Sequence, residues 1–226
     1  PCHSLGGAPA KPVRSRRPYR GCSPRAATTR RPYDRGVEQR LYFRQLLSGR
    51  DFAAQDPIAQ QMVNFVYAIG DRATGECVLV DPAYSAKVHC NEAEIPWVKK
   101  VTELSDSDLA AHEGGDTLMV GDIKIEFVHT PGHTPGSQCF LVDGCLVSGD
   151  TLFLDGCGRT DLPGSDRGQM YDSLQRLARL PEDTIVFPGH KYHPLSNAEL
   201  GSVVQSNYAF KPRTKEQWVM MFGGGD

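Results

Sequence analysis

From Leu41 onward the chain becomes periodic. Its first clear pattern is the alternation of Val63, Phe65, Tyr67 and Ile69 with more polar neighbours, resumed over Cys77–Val80 after the turn-rich Asp71–Gly75. A period of two buries one face of an extended chain, so this stretch predicts a β-hairpin that ends at Asp81-Pro82. EIPWVKKVTELSDSDLAAH predicts a short helical stretch with an N-cap at Ser105, and Gly114-Gly115-Asp116 predicts a turn after it. LMVGDIKIEFVHT reads as two strands joined at Gly121-Asp122. QCFLVDGCLVSGD reads as two more joined at Asp143-Gly144, a dipeptide that favours the type I′ hairpin turn. Antiparallel pairing is expected to dominate. Met170, Leu174 and Leu177, widened by Tyr171 and Ala178, then form an apolar stripe at helical spacing, with Ser165 or Asp166 able to cap its start. TIVFPGH closes the series as a buried β-run ending at a Pro-Gly turn.

Composition adds a boundary near residue 40. Residues 1–40 hold ten Lys or Arg against Asp34 and Glu38, leaving 15 basic and 25 acidic side chains after them behind a net charge of −2. RSRRPYRG and TTRRPYDRG have no hydrophobic period that could bury a face, which predicts a disordered basic leader before a domain over 41–226. A nucleic-acid-binding tail, an organelle transit peptide and a dispensable extension are the three readings of that leader, and no nucleic-acid partner is expected. Removing residues 1–39 should leave the melting temperature of the domain nearly unchanged. A drop of several degrees in a thermal melt would contradict this. No run of about 18 apolar residues predicts a membrane span. Seven cysteines without a CxxC pair suggest reduced thiols and a cytoplasmic protein.

Three predicted strands lead into loops with similar chemistry: HTPGHT after Val128, SGDTLF after CLV, and PGHKYH after IVF. If those strands lie in adjacent sheets, their C-terminal loops bring His133, Asp150 and His190 to one edge. Imidazole and carboxylate suit zinc, iron or manganese, and a carboxylate with two oxygens can bridge two ions. A lone loop histidine ordinarily does no more than hydrogen-bond; three such loops in one chain make a metal site the better reading. Around them, Arg159 in GCGRTD is placed either to hold a substrate carboxylate by a two-pronged hydrogen bond or to pair with Asp161. Cys157 reads as a packing thiol, His129 as support for the His133 loop, and Tyr192 and His193 as lining the pocket or facing water. His89 and Cys90 offer N and S donors, but neighbours on a strand point to opposite faces.

HTPGHTPGS, LVSGDTLF followed by GCGRTD, and FPGH, in that order, resemble the metallo-β-lactamase fold, in the branch containing glyoxalase II and the persulfide dioxygenases. The resemblance runs from about Tyr42 to Arg213. It implies an α+β αββα sandwich with the metal site at one edge of two sheets, His133 on a first metal, Asp150 between the metals and His190 on a second. It implies a hydrolase using one or two zinc ions on a thioester such as hydroxyacylglutathione, with metal-bound hydroxide attacking the carbonyl and Arg159 anchoring the thiol carrier. A persulfide dioxygenase with a single iron is the alternative. The family's HxHxDH loop is not found in these 226 residues, and Asp81-Pro82 reaches the KVH strand in about four residues where a strand, a helix and that loop, on the order of 40 residues, are expected. The pattern therefore predicts a fold incomplete in its N-terminal half, with a deletion near 84–87. A non-catalytic product is the third reading.

Overall fold

The computed structural model describes residues 40–47, 50–51, 55, 57–81, 88–102 and 104–222, so the leader and the proposed deletion lie outside the described residues. Strand β1 (Leu41–Leu47) precedes the short helix α1 (Pro57–Met62) and the predicted hairpin, β2 (Phe65–Asp71) with β3 (Cys77–Val80). Next come β4 (Val88–Asn91), α2 (Ile95–Val101) and β5 (Leu109–His112). The meander follows as β6 (Thr117–Val120), β7 (Ile123–His129), β8 (Gln138–Val142) and β9 (Cys145–Gly149). The chain closes with α3 (Arg167–Leu177), β10 (Ile185–Pro188), β11 (Ala198–Glu199), α4 (Leu200–Ser206) and α5 (Lys215–Met221).

The second half carries the frame. Strands β6 to β11 form one six-stranded sheet in the order β11-β10-β9-β8-β7-β6. Gly121 at φ 57° turns β6 into β7, and Asp143 at 45° with Gly144 at 74° turns β8 into β9. Two successive residues at positive φ are the requirement of the type I′ turn expected there. The chain leaves Ser165 and starts α3 at Asp166, whose side chain accepts from the Gln169 N–H. Met170, Leu174 and Leu177 on α3 are buried with Leu146, Val186, Leu200, Val203 and Trp218 in one core cluster, so the helical stripe faces the sheet and the C-terminal helices.

The first half is in two pieces. Strands β1-β2-β3 form one antiparallel sheet, while β4 and β5, among the described residues, pair with each other alone, in parallel. The three-stranded sheet seats on β10 through aromatic rings: Phe43 lies 4.8 Å and Tyr67 6.0 Å from Phe187, and the Tyr67 hydroxyl donates to the Pro188 carbonyl. At the hairpin turn, Asp71 accepts from the Arg40 Nε, the Ala73 N–H and the Asp122 N–H, which fastens this sheet to the β6–β7 turn. The Arg40 guanidinium, with the two amides, holds the Asp71 carboxyl well below the usual carboxylate range.

One local expectation is corrected. Ser105 caps no helix: its N–H and hydroxyl both bond the Asp108 carboxylate in a turn, and Leu109–His112 is strand. The competing influence is the parallel ladder with β4, which offers the backbone of LAAH partners that a single helical turn would not. Among the described residues no helix is long and apolar enough to cross a membrane.

Candidate metal-type site at the sheet edge

Strand direction assembles the site. Strand β7 runs antiparallel to β8 and β8 antiparallel to β9, so β7 and β9 point the same way, and β10 is parallel to β9. The C-terminal ends of all three therefore open at one edge. The strands lie in a single sheet rather than in the adjacent sheets expected from sequence, because β8 and β9 complete the ladder between β7 and β10.

At that edge Asp150 stands between two imidazoles, with His133 Nε2 3.5 Å from one carboxylate oxygen and His190 Nε2 3.3 Å from the other. All three side chains are largely covered but reachable, at 20%, 33% and 19% exposure for His133, Asp150 and His190. Their closeness depends on glycine: a Cβ on Gly189 would lie 2.7 Å from an Asp150 carboxylate oxygen, and one on Gly158 would collide with the Asp150 carbonyl. The His133 loop is clasped from below by α3. Gly132 packs on the Met170 backbone, its carbonyl accepts from the Asp166 N–H, and the Ser173 hydroxyl donates to the Pro131 carbonyl. His129 takes the supporting part expected of it, with Nε2 2.8 Å from the Pro135 carbonyl. A buried bond between the Thr130 and Thr151 hydroxyls joins the His133 loop to the Asp150 loop.

Other sequence candidates divide. Tyr192 is 63% exposed and stacks on His190 with centroids 4.8 Å apart, and Phe153 meets both rings edge-on, so an aromatic wall stands beside the histidine. Arg159 places Nε and Nη2 each 2.9 Å from Asp161, the pairing alternative; a substrate carboxylate would have to displace Asp161. Burial pushes the Cys157 thiol up to about 12, which leaves it protonated and inert as a nucleophile near neutral pH. His193 Nδ1 accepts from the Leu195 N–H in its own loop. His89 bonds His112 across the β4–β5 pair, and neither joins the site.

Two contributors were not recognised from sequence. Asp81, at the end of β3, stands near Asp150 and His190, and burial of its carboxyl together with the Asp150 charge holds it above the usual carboxylate range despite the opposing His190. The Asp-Pro pair at the strand end was its available signal. Asn64 forms an antiparallel bridge with His190, while the Phe65 N–H donates to the Gly189 carbonyl and the Lys191 N–H to the Val63 carbonyl. This stitch ties the His190 loop to the three-stranded sheet and holds Val63 at φ 46°, a region β-branched residues avoid.

Among the described residues no group of three or more His, Cys, Asp or Glu is arranged to hold one ion. Each imidazole shares its side of the site with one oxygen of Asp150, whereas a catalytic zinc ordinarily has three protein ligands.

Residues 88–190 match the family description "Metallo-beta-lactamase superfamily". A hydroxyacylglutathione hydrolase of Xanthomonas axonopodis is 44% identical over 113 residues, covering 49% of this chain and 43% of its own. The mitochondrial persulfide dioxygenase ETHE1 of Homo sapiens is 29% identical over 196 residues, covering 70% of this chain and 76% of its own. The solved structure of ETHE1 from Myxococcus xanthus superposes with a TM-score of 0.64 at 25% identity over 81% of this chain and 90% of that one. With its three site loops at one sheet edge, the stretch 88–190 carries a metallo-β-lactamase superfamily domain, and glyoxalase II-type and ETHE1-type proteins are among the relatives of the chain.

Proposed function

We propose that this chain is a metal-dependent hydrolase of glutathione-type thioesters whose site, as the sequence stands, is incomplete and therefore slow. One observation carries the reading: Asp150 turns a different carboxylate oxygen to each of two imidazoles, an arrangement suited to a carboxylate lying between two ions rather than completing a single one. A stretch of 113 residues that is 44% identical to a hydroxyacylglutathione hydrolase supports it. His133, Asp150 and His190 are the metal-side residues, and Tyr192 and Arg159 face the small thiol-derived substrate. Zinc suits the N and O donors, and the chain acts in the cytoplasm.

The second reading, an iron-dependent persulfide dioxygenase, is favoured by the likeness to ETHE1 over a larger share of the chain. A test that separates the readings assays the purified protein with excess zinc on an acylated glutathione, and with ferrous iron on glutathione persulfide in an oxygen electrode. Weak thioester hydrolysis that falls on the order of 100-fold in Asp150→Asn is expected, a loss at the lower end for a group acting directly in the chemistry. Oxygen uptake without hydrolysis would replace the thioester reading by the dioxygenase. Neither activity would make the chain a non-catalytic member of its superfamily.

A further inference from the structure

We propose that Asn207 is a positioning residue for His133, acting through the loop 152–159 to hold the proton of the neutral His133 ring on Nδ1. The residue lies far along the chain, between α4 and a single 3-10 turn, and is completely buried. Its amide is fully used. Oδ1 accepts from the Gly156 N–H at 2.7 Å and the Ala209 N–H at 2.8 Å, and Nδ2 donates to the Phe153 carbonyl at 3.0 Å and the Gly156 carbonyl at 2.9 Å. Two donors and two acceptors are the full complement of an asparagine side chain, so the partner geometry is set by one rigid planar group. Three of the four bonds go to the loop.

That loop is the excursion between Asp150 and Arg159. It turns back on itself at Phe153–Gly156, with the Phe153 N–H donating to the Gly156 carbonyl, and Leu152 bridges Cys157. Gly156 takes φ 84°, and a Cβ there would sit 2.5 Å from the Tyr208 hydroxyl, so the neighbour of Asn207 closes the remaining side. The returning strand then passes Gly158 against the Asp150 carbonyl and delivers the Arg159 carbonyl to His133 Nδ1 at 2.9 Å. A carbonyl can only accept. To make that bond Nδ1 must carry the hydrogen, which in the neutral ring leaves the lone pair on Nε2; the Asp150 carboxylate, 3.5 Å from Nε2, favours the opposite tautomer, so the grip of the loop on the Arg159 carbonyl decides between the two. A shift of the loop by an ångström would release Nδ1 and let the proton move to Nε2, closing the atom that faces the site.

The importance of that lone pair rests on His133 being a donor in the proposed hydrolase, but the placement of the proton does not, and it is measured without metal or turnover. In protein labelled with 15N in histidine, long-range 1H–15N correlations at pH 9, assigned with His133→Gln, should show the Nδ1–H form of His133. Asn207→Ala should lose that form to Nε2–H or a mixture and speed exchange of the Gly156 amide by about tenfold or more. Val203→Ala, a cavity on the helix just before Asn207 that leaves the amide in place, should lower the melting temperature and leave the His133 signal unchanged. Asn207→Ser fills part of the space and keeps a hydroxyl able to bond one of these partners, so it should give an intermediate mixture and serves where the alanine variant is too unstable. An unchanged His133 tautomer in a folded Asn207 variant overturns the proposal, as does an equal change in Val203→Ala. Global unfolding of both Asn207 variants under conditions where Val203→Ala stays folded also overturns it, by making Asn207 a residue of the core as a whole.

Discussion

Inserting a segment with the HxHxDH pattern between Ala83 and Lys87, outside the described residues, is expected to raise bound metal from well below one ion per chain toward two and thioester turnover by orders of magnitude. The reason is ligand arithmetic at the sheet edge. His133, Asp150 and His190 leave each nominal ion with two protein donors when Asp150 counts for both, and no described group of three surrounds a single point. A catalytic zinc with three protein ligands keeps a fixed geometry and brings the pKa of its bound water to about 7. With two donors, water fills the rest of the shell and fixes neither property. The insertion must bring its own strand and helix as well, because β3 and β4 belong to separate sheets and share no ladder among the described residues. Elemental analysis for zinc and iron, with hydrolysis of an acylated glutathione before and after insertion, reads the result. Full occupancy and brisk turnover in the uninserted chain would mean that other side chains complete the centre, with His89, Cys90 and His193 the first to replace.

Trp218→Ala is expected to destabilise the domain by about 3–5 kcal/mol, the usual range for emptying a fully buried aromatic site. Trp218 is completely buried on α5, stacks on Phe222 with centroids 4.0 Å apart, and donates from Nε1 to the Ala209 carbonyl at 2.9 Å. Truncation opens a cavity and also leaves that buried carbonyl without its donor, so the site cannot be healed by apolar collapse alone. At about 2–4 °C per kcal/mol for a domain of this size, the melting temperature should fall on the order of 10 °C. The α3–α5 contact is the structure most exposed to the loss, and with it the platform under the His133 loop. Trp218→Phe should recover part of the loss by refilling the cavity without the hydrogen bond. A change in stability below about 1 kcal/mol in the alanine variant would show that the C-terminal helices contribute little to the core.

The legible part of this protein is the part whose signals are local. Alternation marked β2 and β3; the Gly121-Asp122 and Asp143-Gly144 pairs marked the turns that join β6 to β7 and β8 to β9, the second through two positive φ angles; and the Met170, Leu174, Leu177 stripe with Asp166 ahead of it specified α3. That His133, Asp150 and His190 stand close together was legible for the same reason, since each follows a strand on a glycine-bearing loop within a few residues. What the chain by itself left open was everything that depends on which surfaces meet. The β7, β9 and β10 ends share one edge because those strands lie in a single sheet, a pairing carried by residues up to several dozen positions apart. Arg159 turned to Asp161 rather than outward, His89 found His112 across a parallel ladder, and Ser105 closed a turn instead of opening a helix. Asn207 shows the limit most clearly: nothing near it in sequence distinguishes it from a surface asparagine, and its four side-chain bonds exist because the core brings Phe153, Gly156 and Ala209 around it. Periodicity and turn chemistry are written within a few residues, whereas hydrogen-bond partners at long separation are set by packing, and packing is decided only when the whole chain has collapsed.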